Sequence, residues 1–181
     1  MCGIIGIASN KPVSMNIINS LKKLEYRGYD SAGLATLDKD EISEKKCSGR
    51  VEELEKILFK NPSDGNLGIG HVRWATHGIP NIVNAHPHSS EIVSVVHNGI
   101  IENSDELKEK LASKGLKFKS QTDTEVITLL ITEALKDNKP LESVFNTLKQ
   151  LKGSFALGII FKNYKNIIIG ARRGSPLAVG Y

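Results

Sequence analysis

Cys2-Gly3-Ile4-Ile5-Gly6-Ile7-Ala8 is the stretch that decides how this chain folds. Its apolar run predicts a buried strand at the start of the chain. The same stretch places a thiol directly behind Met1. If Met1 is removed, Cys2 carries a thiol and a free α-amine, with unperturbed pKa values of about 8.5 and about 7.7–8.0. The amine can then take the thiol proton and generate a nucleophile, whereas the alternative is a cysteine that only fills the core.

The composition of the whole chain is that of an ordinary globular protein. The chain has 181 residues, 40% of them hydrophobic and 24% charged, which suits one large domain or two small ones. Its net charge of +4 comes from scattered lysines, not from the basic stripe that nucleic-acid binding needs. No leader and no apolar run near the length of a membrane span is found. Two cysteines form no disulfide framework, so we expect a reduced, cytoplasmic protein with no nucleic-acid or membrane partner.

The hydrophobic periodicity predicts about eight strands and four or five helices. Several strands are joined by turns too short for a parallel crossover, which favours antiparallel pairing. We therefore expect an α+β fold, a four-layer αββα sandwich of two mainly antiparallel sheets flanked by helices. The expected strands are 2–8, 32–37, 41–47, 67–73, 92–96, 154–161, 166–171 and 177–179, and the expected helices are 14–25, 51–59, 105–114, one from Thr122 and 140–151.

Four local signals set the expected ends of these elements. Ser14 is a candidate N-cap, and Asn98-Gly99 is the strongest short turn signal, so we expect it to end the strand 92–96. Thr122-Asp123-Thr124-Glu125 fits a capping box at the start of a helix. Residues 177–181 lie in or just after a strand and carry no polar tail, so we expect a domain boundary there.

Five loop stretches hold side chains that the fold does not need. Each lies at the end of a predicted strand or the start of a predicted helix, where scaffolds usually present functional groups. The stretches are Tyr26–Ser31, Arg73–Gly78, Asn84–His88, His97–Gly99 and Thr122–Thr124, and they contain Arg27, Arg73, Trp74, Thr76, His77, His86, His88, His97, Asn98, Gly99 and Asp123.

Four of these residues suggest specific chemistry. The Asn98 amide and the Gly99 N–H can point at one oxygen as an oxyanion hole, which is compatible with a tight turn. Arg73 can hold a carboxylate by two parallel hydrogen bonds, and Asp123 can hold an ammonium group. Together they suit the two charged ends of a free amino acid. The alternatives are a surface ion pair for Arg73 and plain helix capping for Asp123.

The five histidines suggest a metal site, but their spacing argues against one. His86-Pro87-His88 does not match a helical i, i+4 pair, and Cys47 is isolated, so we predict no metal and no cofactor. A papain-like pair of Cys2 with one of the histidines stays open. We expect most of the histidines to be structural hydrogen-bonding residues in loops.

At these residues the chain resembles a known family. It is similar to the glutaminase domains of class II glutamine amidotransferases, in the N-terminal-nucleophile hydrolase superfamily, and among them to those of glucosamine-6-phosphate synthases. The Cys-Gly-Ile start and the Asn-Gly pair suit the class generally, whereas the Tyr-Arg-Gly-Tyr-Asp-Ser and Arg-Trp-Ala-Thr-His-Gly runs point to this branch. The resemblance covers essentially the whole chain through 2–6, 24–33, 71–78, 84–88, 96–103, 122–125 and 172–177.

The resemblance implies a role for each candidate residue. Cys2 is the nucleophile after loss of Met1, and its α-amine is the base. Asn98 and the Gly99 N–H form the oxyanion hole. The remaining candidates are implied to bind glutamine or to lie beside the nucleophile: Arg73 at the α-carboxylate, Asp123 at the α-ammonium, Trp74, Thr76 and His77 along the pocket, and Arg27 next to Cys2.

The same resemblance implies the chain's partners. It implies that residues 1–181 are one glutaminase domain that hydrolyses glutamine, and that a C-terminal isomerase domain is absent from this sequence. In the full-length protein the released ammonia converts fructose 6-phosphate to glucosamine 6-phosphate, and a homo-oligomer is expected. One alternative is the glutaminase domain of another class II amidotransferase, which the run from Tyr26 to Gly33 argues against. Another is a non-catalytic glutamine-binding module, which would keep Arg73 and Asp123 but have no use for Cys2.

Overall fold

The structure, a computed structural model, describes residues 2–75 and 78–180. These residues form eight β-strands, five α-helices and a 3-10 turn at Glu25–Arg27. In chain order the elements are β1 (Gly3–Ala8), α1 (Ser14–Leu24), β2 (Ser31–Asp38), β3 (Glu41–Ser48), α2 (Val51–Lys60), β4 (Leu67–Arg73), β5 (His88–Ser89), β6 (Val93–Ile101), α3 (Ser104–Ala112), α4 (Thr124–Ala134), α5 (Pro140–Leu148), β7 (Gly153–Phe161) and β8 (Ile168–Arg173).

The strands form two antiparallel sheets of four strands each. The first has the order β1-β4-β2-β3 and the second the order β5-β6-β7-β8. Strand β4 lies between β1 and β2, with His71 opposite Ile4 on one side and Gly33 on the other. Both faces of β2 and β4 are covered, which explains why their sequences are nearly continuous runs of apolar and small residues.

Three apolar clusters show that the sheets and helices form four layers. Helices α1 and α2 cover the outer face of the first sheet, and α3, α4 and α5 cover the outer face of the second. A third cluster, which includes Ile69, Val96 and Ile160, lies between the sheets. Val95 packs on the helix side and Val96 between the sheets, as the alternation of a strand requires. The expected αββα sandwich is confirmed. Within the described residues, no helix is long and apolar enough to span a membrane.

The largest error of the sequence prediction concerns Asn98 and Gly99. They do not form a turn, because β6 continues to Ile101 and pairs Gly99 with Phe155 of β7. Gly99 has a positive φ of 151°, and an added Cβ would lie 2.1 Å from the Ser154 carbonyl oxygen. The glycine is therefore needed for a close approach of two strands and not for a hairpin.

Other elements start or end differently from the prediction. The residue before α1 is Val13, and it makes no side-chain cap. The expected capping box is not formed, because Glu125 accepts hydrogen bonds from the backbone N–H groups of Lys119 and Ser120 and thereby holds the preceding loop. Residues 177–179 form no strand, and α5 ends at Leu148 instead of 151.

Candidate active site

The Cys2 thiol lies just before β1, at the edge of the first sheet, and is half-buried. Gly3 pairs with Val72, so the same register places Cys2 opposite Arg73. The backbone N–H of Trp74 donates to Sγ at 3.4 Å, and Sγ lies 3.7 Å from the Trp74 carbonyl oxygen. Burial raises the pKa of the Cys2 thiol, and the hydrogen bond with Trp74 opposes that rise. A thiol in this setting needs a nearby base to react near neutral pH.

The loop before β2 packs directly against this thiol. Arg27 Nε donates to the Cys2 carbonyl oxygen at 2.9 Å, which places the guanidinium next to the candidate nucleophile. A Cβ on Gly28 would lie 2.5 Å from the Arg73 carbonyl carbon and 2.6 Å from the Trp74 nitrogen. Only glycine therefore allows the loop to approach the end of β4 this closely.

Asp30 holds the segment that follows β4 in place through two hydrogen bonds. Its backbone N–H donates to the Arg73 carbonyl at 3.2 Å, and its carboxylate accepts a hydrogen bond from the Ala75 N–H. The Trp74 ring stays 47% exposed and meets the Tyr29 ring edge-to-face, with the ring centroids 5.7 Å apart. The backbone of Trp74 is thus fixed against the thiol while its side chain faces outward.

Arg73 ends β4 and is almost wholly buried. Its guanidinium donates to the carbonyl oxygens of Gly78 and Ile79, at 3.4 Å each. The buried Asn84 amide donates to the same Ile79 carbonyl and to Gln121 Oε1, both at 3.0 Å. Asn84 and Gln121 therefore hold the loop that orients Arg73. The two pocket residues predicted between Ala75 and Gly78, Thr76 and His77, lie outside the described residues.

The candidate oxyanion donors lie near the end of β6. Asn98 is half-buried and Gly99 is exposed, so both are open to a ligand from solvent. A Cβ on Gly99 would overlap the Ser154 carbonyl, so β7 packs against this point of β6 with no room for a side chain. Asn98 and Gly99 thus belong to a strand that is paired with β7, which suits a pre-organised pair of donors.

Asp123 directly precedes α4 and faces the same strand. Its Oδ2 accepts a hydrogen bond from the Ile101 N–H at 2.8 Å, and its Oδ1 lies 3.8 Å from Nδ1 of His97. The side chain keeps 20% of its surface exposed. The carboxylate is therefore anchored beside Asn98 and Gly99 and can still receive a cation.

A hydrogen bond between the two sheets links β4, which ends beside Cys2, to β6, which carries Asn98. His71 Nε2 donates to the His97 carbonyl oxygen at 2.9 Å. His71 is two residues before Arg73, and His97 directly precedes Asn98. The contact therefore joins the C-terminal part of β4, which leads to Arg73, to the middle of β6, directly before Asn98.

Comparison with known proteins identifies the family. The model of a family described as "Glutamine amidotransferase domain" matches residues 81–178. The chain belongs to this family. As a glutamine amidotransferase domain, it is 52% identical over its whole length to a glutamine–fructose-6-phosphate aminotransferase (isomerizing) of Mesorhizobium japonicum, and 52% identical to the protein of the same name from Bradyrhizobium diazoefficiens. The chain spans about 30% of the length of these curated relatives.

Solved structures support the same family. The glutamine phosphoribosylpyrophosphate amidotransferase of B. subtilis, in complex with ADP and GMP, matches 90% of this chain and 35% of its own, with a TM-score of 0.78 and 27% identity. The glutamine amidotransferase domain thus has the N-terminal-nucleophile sandwich predicted from its sequence.

The four histidines that the structure describes, His71, His86, His88 and His97, are buried and hydrogen-bonded, but three of them lie in the strands β4, β5 and β6 and not in the loops that were expected. Burial lowers the pKa of His71 to about 3 and holds the pKa values of His86 and His88 well below the usual range. Burial also lowers the pKa of His97, although Asp123 opposes the shift. Such weakly basic rings are poor partners for a papain-like Cys–His pair. Among the described residues, no three His, Cys, Asp or Glu side chains are placed to hold one metal ion.

The sequence did not reveal the residues that hold the candidate site residues and their loops in place. Asn84 and Thr124 were noted only as members of loop stretches, yet both are buried and bonded to the candidate residues or their loops. Gly28 and Asp30 were likewise not singled out. The position of Asn84 between Val83 and Ala85 was a signal of a buried polar residue, but Thr124 lies between two acidic residues and carries no such signal.

Proposed function

We propose that this domain hydrolyses the side-chain amide of L-glutamine to glutamate and ammonia through a thioester on Cys2. The observation that carries the proposal is the position of the Cys2 sulfur, which receives the Trp74 N–H directly beside Arg73. An electron-rich sulfur held next to a carboxylate-binding side chain suits attack on an amino-acid substrate.

The first step needs a base, because burial raises the pKa of the thiol. The α-amine of Cys2 meets that need once Met1 is removed, since its ordinary pKa lies near neutral pH. It takes the thiol proton, directly or through a water molecule. While Met1 is attached, the same nitrogen is an amide and has no basicity.

The thiolate then attacks the side-chain amide carbon of glutamine. The negative charge that develops on the amide oxygen is received by the Asn98 side chain and the Gly99 N–H; one such donor contributes about 10²–10³ in rate. The protonated amine gives its proton to the leaving nitrogen, so ammonia departs and a γ-glutamyl thioester remains. Water, deprotonated by the amine, attacks the thioester and releases glutamate and the free thiol.

Two charged groups select the substrate. Arg73 holds the α-carboxylate and Asp123 the α-ammonium, which fixes the reacting amide at a set distance from both. We propose that Trp74, Thr76 and His77 line the pocket between them. Arg27 keeps the Cys2 carbonyl, and with it the start of β1, in place.

In the longer protein we propose that the ammonia is used to make glucosamine 6-phosphate from fructose 6-phosphate on a C-terminal isomerase domain. The support is the name of the relatives at 52% identity, against 27% for the phosphoribosylpyrophosphate enzyme. A homo-oligomeric full-length protein and a cytoplasmic location remain predictions. Assaying the full-length protein with glutamine and either fructose 6-phosphate or phosphoribosylpyrophosphate distinguishes the two acceptors.

The hydrolytic proposal is tested by replacing each of the two cysteines. Cys2→Ala removes the nucleophile, and we expect glutamate release from L-glutamine to fall to background. Cys47→Ala is the matched control, because Cys47 is buried in β3, at the opposite edge of the first sheet from β1, and its thiol donates to the Arg50 carbonyl. It should retain the activity of the unmodified chain.

Two results would overturn the proposal. Glutamate release that survives Cys2→Ala would exclude Cys2 as the nucleophile. Tight binding of glutamine without turnover by the Met1-free chain would identify a binding module instead of an enzyme.

A further inference from the structure

A buried polar cluster lies between β4, β6 and the start of α4, next to the candidate residues. It consists of His71, His86, His97 and Thr124, and we call it the histidine–threonine cluster. The Thr124 side chain is fully buried, and its hydroxyl lies 2.8 Å from His86 Nε2 and 2.9 Å from His97 Nδ1. The His86 ring stacks on the His71 ring, with centroids 4.0 Å apart and planes inclined by 14°. One hydroxyl thus joins two rings from different parts of the chain.

One hydrogen bond of the cluster has a direction set by its acceptor. A carbonyl oxygen can only accept, so His71 Nε2 carries the proton that is donated to His97. The Asp123 carboxylate lies 3.8 Å from His97 Nδ1 and favours a proton on that nitrogen. The Thr124 hydroxyl meets three groups: the two ring nitrogens and, as a donor at 3.5 Å, Asp123 Oδ1. Threonine serves as both acceptor and donor, a combination that valine cannot supply.

Three of the four members of the cluster are close in sequence to a group proposed to contact glutamine. His97 directly precedes Asn98, and Thr124 directly follows Asp123. His71 lies two residues before Arg73. The start of α4 makes two hydrogen bonds to β6. Thr124 bonds to His97, before Asn98 and Gly99, and Asp123 accepts from the Ile101 N–H, after them.

We infer that Thr124 is a positioning residue, whose hydroxyl holds the Asp123 carboxylate and the Asn98–Gly99 donors at a fixed separation through its bonds to His97 and His86. This inference rests on the proposed function of those residues. Loss of the hydroxyl leaves two buried ring nitrogens without a partner, and β6 or α4 must shift to satisfy them. Both ends of the glutamine site then lose their alignment.

The test compares Thr124→Val, Thr124→Ala and Thr124→Ser with Thr128→Val. Thr128 is the matched control because it is buried in the same helix one turn later and donates to a backbone carbonyl, that of His88, at 3.1 Å. We expect Thr124→Val and Thr124→Ala to lower kcat/KM for L-glutamine by about 10- to 100-fold, the usual effect of leaving buried partners unsatisfied. Thr124→Ser should stay within about threefold, because it keeps the hydroxyl.

A second measurement does not depend on turnover. In the ligand-free protein, nuclear magnetic resonance should show shifted backbone amide signals of Asn98 and Gly99 and altered ring-nitrogen signals of His86 and His97 in Thr124→Val and Thr124→Ala. The serine variant and Thr128→Val should keep the Asn98 and Gly99 amide signals of the unmodified chain. Thr124→Ala leaves room for a water molecule and serves if the valine variant does not fold.

The possible outcomes separate this inference from the proposed function. If the unmodified chain does not hydrolyse glutamine, the proposed function fails, and the amide signals of Asn98 and Gly99 still decide whether Thr124 holds the strand. Unchanged amide signals and unchanged kcat and KM in a folded variant without the hydroxyl would overturn the inference. Equal losses in Thr124→Val, Thr124→Ser and Thr128→Val would also overturn it, since they would show general sensitivity of the core.

Discussion

The backbone N–H of Trp74 lies 3.4 Å from the sulfur of Cys2, at the point where β4 ends beside the start of β1. Asp30 and Gly28 hold this stretch of backbone in place from the loop before β2. The sulfur is therefore fixed in space by main-chain contacts, whereas its protonation is governed by burial.

The raised thiol pKa predicts how Cys2 reacts with an alkylating reagent. In a chain that retains Met1, alkylation of Cys2 should reach half its maximal rate at a higher pH than a free cysteine does, because only the thiolate reacts. Rates of iodoacetamide labelling between pH 6 and 10, followed by peptide mass spectrometry, measure this. The buried Cys47 should label far more slowly, and a Cys2 midpoint below that of free cysteine would contradict the prediction.

Asp123→Asn should weaken glutamine binding more than it slows the chemistry. Asparagine can still accept the hydrogen bond from the Ile101 N–H, so β6 keeps its position, but the charge that pairs with the substrate ammonium is lost. We expect KM to rise about 10- to 100-fold with kcat within about threefold. Steady-state kinetics of glutamate release test this, and an unchanged KM with a collapsed kcat would speak against the assigned role.

Gly99→Ala should damage both stability and activity. The added methyl group meets the Ser154 carbonyl at 2.1 Å and the backbone is held at φ 151°, so we expect a loss of about 3 kcal/mol or more in the free energy of unfolding. Gly49→Ala is the control: it also has a positive φ, of 88°, but nothing lies within 4 Å, so only the conformational cost of about 1–2 kcal/mol applies. Urea unfolding of both variants gives the comparison, and equal losses would refute the steric explanation.

The buried histidines predict that stability falls as the medium becomes acidic. Their pKa values are lower in the folded protein than the ordinary 6.5, so the unfolded chain binds more protons below that pH. The stabilisation is complete above about pH 6.5 and is lost as the pH falls, down to about pH 3 for His71, with a slope of up to about 1.4 kcal/mol per pH unit for each histidine.

This pH dependence is measured by urea unfolding between pH 4.5 and 7.5. His71→Gln retains a side-chain N–H donor but cannot titrate in this range. The variant should therefore show a shallower decline than the unmodified chain, by about one proton. An identical slope in the two proteins would show that His71 is not held neutral by the fold.

The sequence predicted the layers of this fold well because the apolar periodicity of its strands and helices reflects burial directly. It failed at Asn98-Gly99, where the local turn preference of the dipeptide is overridden by the pairing of β6 with β7. It also failed at the capping box, since Glu125 binds backbone groups of the loop before the helix, and no local pattern specifies that.

The candidate site was predictable only in part. Cys2, Arg27, Arg73 and Asp123 were proposed from residue type, position in the chain and family motifs, and their roles stay predictions. The contacts of Thr124 and Asn84 depend on which segments the fold brings together across 27 and 37 residues of chain, and no local signal encodes them.

The central claim is that Cys2 acts as nucleophile only when its own amine is free. The most direct measurement pairs intact-mass analysis with glutamate release for one preparation before and after enzymatic removal of Met1. We expect activity to rise in proportion to the Met1-free fraction, and acid-quenched Met1-free samples to carry a glutamyl group on Cys2. A chain that fully retains Met1 and releases glutamate at the same rate would contradict it.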